Sequence, residues 1–109
     1  MSVAYSNKLN NNEIEDFQDA MRTIIKMCDH EISQYMQMPQ ETDEDRNLRI
    51  SGINYCQSLK EAARTCLGQY LDSKGNLKTC IMRWEKSKSE EVQAIAAAAK
   101  KDDYQELAI

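Results

Sequence analysis

From Asn12 to Met38 the apolar residues Ile14, Phe17, Met21, Ile24, Cys28, Ile32 and Tyr35 recur at steps of three and four. That spacing puts all seven on one stripe of an α-helix and is foreign to a strand, whose side chains alternate. Asn12 offers a capping oxygen, Glu15 stands three residues on as in a capping box, and Pro39 ends the stripe. The residues predict one long amphipathic helix over 12–38. Met27, Met36 and Met38 widen its apolar face toward the C-terminal end. A face that wide contacts two neighbours rather than one.

A second helix is predicted from about Asp43 to Leu71. Thr42 followed by Asp45 is a plausible cap, and Asp43, Glu44 and Asp45 suit the positive end of a helix dipole, so this acidic cluster has a structural rather than a metal-binding explanation. Leu48, Gly52, Tyr55, Leu59, Ala62 and Cys66 mark one apolar stripe, which Ile53, Cys56, Ala63, Leu67, Tyr70 and Leu71 widen or double. A doubly striped helix sits between partners and is central in a bundle. Gly52 and Gly68 each cost up to about 1 kcal/mol relative to alanine inside a helix, which close approach by a neighbouring helix, or a kink at Gly52, would explain.

Asp72-Ser73-Lys74-Gly75-Asn76 is the clearest break, with Gly75 and Asn76 both suited to positive φ. The segment 77–82 then reads as helix, with a β-hairpin on the same turn as the alternative. Leu77, Ile81, Trp84, Val92, Ile95 and the run Ala96–Ala99 carry a third helix, whose stripe is interrupted at Lys86–Ser89 and can break there. Ser89 before Glu90 and Glu91 caps the second piece. Residues 1–11 read as a flexible polar lead-in, 12–99 as a single helical domain, and 100–109 as a disordered acidic tail.

Composition agrees with an all-α chain. One proline and three glycines in 109 residues leave few breakers, and 6% aromatic residues is low for a β-sandwich. A net charge of −4 argues against nucleic acid as the main partner. The distribution is uneven. Residues 1–47 hold ten acids against four bases, and residues 48–86 seven bases against three acids. An acidic first helix beside a basic middle fits an intramolecular antiparallel pair, and a basic ligand surface is the competing reading.

Little here resembles a catalytic site. Cys28, Cys56, Cys66 and Cys80 form no Cys-x-x-Cys pair and fall on or beside apolar stripes, where free cysteine behaves as a small buried hydrophobe. Zinc held by three of them with His30 is the alternative, disfavoured because His30 lies two residues from Cys28 and off its face. No phosphate-binding loop, dinucleotide fingerprint or nucleophile–base arrangement is present. The expectation is a non-enzyme with no metal and no cofactor. No signal-peptide pattern, lipidation motif or membrane-length apolar run occurs, which makes a cytoplasmic location, or a nuclear one in a eukaryote, the expectation. Tyr104-x-x-Leu107 has the form of a short linear motif or phosphorylation site.

Together these features predict an elongated, antiparallel bundle of three long helices with coiled-coil-like packing, the third open to a break near 86–89. The expected function is a small protein-interaction module: an adaptor, assembly subunit, or regulator or inhibitor of a larger machine. It would work through helix faces as a homodimer or within a heteromeric assembly. Met27, Ile32, Tyr35, Met36 and Met38 are the candidate partner surface. The alternative is a nucleic-acid-associated regulator using Lys60, Arg64, Lys78, Arg83 and Lys86, with Trp84 available for stacking.

Overall fold

A computed structural model describes residues 17–104 and Leu107. Helix α1 spans Phe17–Met36, α2 Asp43–Asp72, α3 Leu77–Trp84 and α4 Glu90–Lys101, with no strand among the described residues. The predicted start of the first helix, with Asn12, Ile14 and Glu15, and the lead-in 1–11 lie outside the described residues.

Helices α1 and α2 form an antiparallel hairpin. The chain leaves α1 in a tight turn, with Met38 N–H donating to the Tyr35 carbonyl ahead of Pro39. Thr42 then opens α2 with a full capping box: its hydroxyl accepts from Asp45 N–H, and the Asp45 carboxylate accepts from Thr42 N–H. Helix α2 packs against all three other helices, most extensively α1, and is the central element. Cys56, Leu59, Ala63 and Cys66 share one core with Met21, Ile24, Met27 and Cys28, all eight buried.

The three long helices expected are in fact two long and two short ones. The third predicted helix breaks at 85–89 into α3, of 8 residues, and α4, of 12. Capping explains the break. Ser89 accepts from Val92 N–H and opens α4 from an extended backbone, which a continuous helix could not supply. The segment 77–82 is helical, begun by Asn76, whose side chain accepts from Thr79 N–H. Asn76 therefore serves as a cap at negative φ, and Lys74 (φ 60°) joins Gly75 (φ 84°) in the left-handed region. Lys74 N–H donates to Leu71 and Gly75 N–H to Tyr70, a Schellman ending for α2.

The C-terminal segment corrects the expected disordered tail. Lys100 and Lys101 belong to α4, and Asp102 adopts φ 55°. Asp102 N–H donates to Ala99 and Asp103 N–H to Ala98, a second Schellman turn that sends the chain back onto the bundle. Tyr104 is 2% exposed, and Leu107 is buried with it in the core. Phe17 lies 5.0 Å from Tyr70, 5.3 Å from Trp84 and 6.3 Å from Tyr104 between ring centroids. One aromatic cluster thus ties the start of α1, the end of α2, α3 and the C-terminal segment together. The body measures 48 × 32 × 20 Å.

Candidate interaction surface

The two ends of the α1–α2 hairpin differ in what lies over them. At the end holding Phe17 and Tyr70, α3, α4 and Tyr104 complete the core. Toward the other end, α4 starts beside the middle of α2, where Ser89, Glu91 and Val92 border one groove with Asn54, Ser58 and Ala62. Beyond that point, among the described residues, the hairpin has only its own two helices. Met36, Leu48, Ile50 and Tyr55 are each 50–59% exposed there.

Length accounts for this. At 1.5 Å per residue a 30-residue α2 is about 45 Å long and a 12-residue α4 about 18 Å, so α4 covers less than half of its neighbour. Leu48, Tyr55 and Ala62 stand seven residues apart and form one line along α2. Ala62 is buried, while Tyr55 and Leu48 emerge from under the start of α4. Burial, with the neighbouring thiols Cys28 and Cys56 and the Glu91 carboxylate, raises the Tyr55 hydroxyl pKa.

The expected partner surface is only partly where the structure places exposed apolar area. Met27 is 7% exposed and belongs to the core, because it lies at the level of α1 where the bundle has more than two layers. Ile32 and Tyr35 are half-buried against the core, Met38 is half-buried, and Met36 is exposed. The Tyr35 ring sits directly on Gly52, in space that a Cβ at position 52 would occupy. Gly52 thus serves close approach by a side chain. Gly68 meets nothing within 4 Å and has no such role. Leu48 and Tyr55 belong to a stripe that the periodicity assigns to the core, and Ile50 lies off both stripes. The signal that identifies Leu48 and Tyr55 is the break at 85–89, which leaves α4 too short to cover them.

The tip is acidic. Residues 29–49 hold six acids, Asp29, Glu31, Glu41, Asp43, Glu44 and Asp45, against Arg46 and Arg49. Arg46 pairs with Asp43 within the first turn of α2. Arg49 is half-buried and its Nε is enclosed with no hydrogen-bond partner.

The basic candidates are not assembled into one site. Lys60 pairs with Asp29 across the hairpin and shares an open groove of about 930 Å³ with Arg64, Glu61 and Glu91. Three acids against two bases in that groove create no positive funnel for a phosphate backbone. Lys78 borders a second groove of about 510 Å³ between α3 and α4, and Arg83 borders a third beside Gln69 and Cys80. Lys86 follows the end of α3 on the surface. Trp84 is buried, stacks on Phe17, and donates Nε1–H to Gln69 Oε1 at 2.7 Å. Its ring is therefore closed to a nucleobase in this fold.

The four cysteines are free and buried. Burial pushes the Cys28 thiol up to about 12, with Cys56 and Asp29 adding to the rise, and burial with Cys80 nearby does the same for Cys66. Thiols held protonated in this way are poor nucleophiles and poor metal ligands. Among the described residues no three His, Cys, Asp or Glu side chains are grouped to hold a metal ion. His30 is exposed, its ring 3.5 Å from the Gln34 amide. No helix of the described residues is long and apolar enough to cross a membrane.

No known family, curated protein or solved structure matches this chain. The site's own geometry is what speaks to function.

Proposed function

We propose that the chain is a non-enzymatic protein-interaction module, an adaptor, assembly subunit or regulator, whose docking surface is the tip of the α1–α2 hairpin. One observation carries this reading. Met36, Leu48 and Tyr55 are exposed on the part of the α1–α2 hairpin that, among the described residues, lies beyond the start of α4, with Ile50 exposed on the opposite side of α2. Clustered exposed apolar side chains beside charged ones are the usual mark of an interaction site, whereas single ones are ordinary. Helix-in-groove recognition needs this kind of surface: anchors about one and two turns apart on rigid helices.

The test is quantitative affinity capture with the wild-type chain and with a Met36→Ser, Leu48→Ser, Tyr55→Ser variant, both confirmed as folded by circular dichroism. The reading expects bound proteins to be depleted about tenfold or more by the triple change, since each lost apolar anchor costs on the order of 1 kcal/mol or more. Equal capture by both chains would reject it. The nucleic-acid alternative now rests on surface bases alone, with Trp84 buried. A salt titration against mixed DNA and RNA decides it, because binding through several phosphates weakens steeply with salt.

A further inference from the structure

The occupant of the tip can be narrowed by its charge and by the seam it leaves open. Along the line Leu48–Tyr55–Ala62, Ala62 is buried beside the start of α4, and no described residue covers Tyr55 and Leu48, which leaves an apolar seam in line with α4 for one more helix. That helix must be apolar on one side and basic around it, because residues 29–49 carry six acids against two bases. Two tips facing one another would instead set acid against acid, which disfavours a symmetric tip-to-tip dimer.

A helix of this description is present at the opposite end of the molecule. Residues 72–88 carry five bases, Lys74, Lys78, Arg83, Lys86 and Lys88, against Asp72 and Glu85. Within them α3 turns Cys80 and Trp84 into the core and leaves Met82 58% exposed on its outer side. Leu77 and Ile81 are half-buried and border the groove of about 510 Å³ beside Met82 and Lys78. The outer face of α3 is thus an apolar centre flanked by bases, and the tip an apolar centre flanked by acids. The length of α2 separates the two within one copy, so they can meet only between copies. Resting on the reading of the tip as a docking surface, we propose that its occupant is the α3 face of a second copy of this chain, in a head-to-tail contact. Such a contact is heterologous: each copy offers one tip and one α3 face, and the assembly grows or closes into a ring.

Sedimentation velocity on the full chain tests this over a range of protein concentrations, at about 20 mM and about 500 mM salt, where screening differs strongly. The tip variant is Leu48→Asp with Tyr55→Ser, and the α3 variant is Lys78→Glu with Met82→Asp. The wild-type mass should rise with concentration and fall back at high salt. Each variant alone should associate about tenfold more weakly or less, and their equimolar mixture should regain association that stops at two copies, one intact tip on one intact α3 face. Glu41→Lys with Glu44→Lys, at exposed positions, supplies a second tip variant that keeps every apolar side chain, is confirmed as folded by circular dichroism, and should weaken association in the same way. An α3 variant that still dimerises alone would mean a tip-to-tip contact and overturn the proposal. A wild-type chain that stays monomeric at both salts would also overturn it. That result would leave the docking reading itself to the capture experiment, which does not depend on self-association.

Discussion

At one end of α2 four segments of chain meet around Phe17, and at the other, among the described residues, two helices stand without a third. The two ends share one helix pair and the same three-and-four spacing, yet Leu59, Ala62 and Cys66 are buried while Leu48 and Tyr55 are about half exposed. The difference lies in what covers the stripe. Near Phe17, Trp84 and Tyr104 add ring contacts worth roughly 0.5–1.5 kcal/mol per pair beyond their buried area. At the tip no described residue supplies such a layer, and the enclosed Arg49 Nε–H has no partner among the described residues. Periodicity identifies an apolar face. Only the lengths and turns of the other elements decide whether the fold or a partner covers it.

Replacing Phe17 by alanine attacks the richer end at its centre and should cost about 3–5 kcal/mol, read as a lowered urea midpoint with an unchanged slope. A loss below about 1 kcal/mol would mean that the cluster does not hold that end together. Raising the pH acts on the same core. Cys28 and Cys66 have folded pKa values raised from 9.0 to about 12 by burial. Their contribution is therefore fully present below pH 9 and is lost as the pH climbs toward 12, because the unfolded chain releases those protons first. Unfolding midpoints measured between pH 8 and pH 11 should fall in that window, and Cys28→Ala with Cys66→Ala should flatten the fall at a lower baseline.

Gly52→Ala probes the tip from inside. Its Cβ must displace the Tyr35 ring, which should cost about 1–3 kcal/mol by overpacking, less if the ring swings out toward solvent. Gly68→Ala is the control with the opposite sign: with open space around it, the change should add up to about 1 kcal/mol of helix stability. Per site the smallest effect belongs to the triple change Met36→Ser, Leu48→Ser, Tyr55→Ser, which should lower the stability read from urea unfolding by no more than about 0.5 kcal/mol at each position, since exposed positions contribute little to folding. A large loss there would show that the tip side chains serve the fold and would erase the contrast between the two ends.

Much of the architecture is legible from local spacing. The stripe through Phe17, Met21, Ile24 and Cys28, the capping residues Thr42 and Ser89, and the break after Trp84 are all local signals, and α1, α2 and α4 start or stop where these predict. The aromatic cluster has no local signal, because residues 17, 70, 84 and 104 meet only once the helices have packed. The C-terminal segment reads as disordered because its Schellman turn uses Asp102 where glycine or asparagine is the usual marker. Buried Tyr104 and Leu107 consequently replace an exposed linear motif. Of the five candidate surface residues, Met36 is exposed, Ile32, Tyr35 and Met38 are half-buried, and Met27 belongs to the core. Leu48 and Tyr55 become visible as surface only when α4 is known to be short, whereas Ile50 lies off both stripes from the start.

Native-state amide hydrogen exchange on the dilute chain tests the division between the two ends most directly. The account predicts the slowest exchange in α1 and α2 at Met21–Cys28 and Leu59–Cys66. Amides at Ile32–Met36 and Leu48–Tyr55 should open with free energies well below the global value, as expected where few apolar contacts lie over the helices. Uniform protection along the full length of both helices would contradict it.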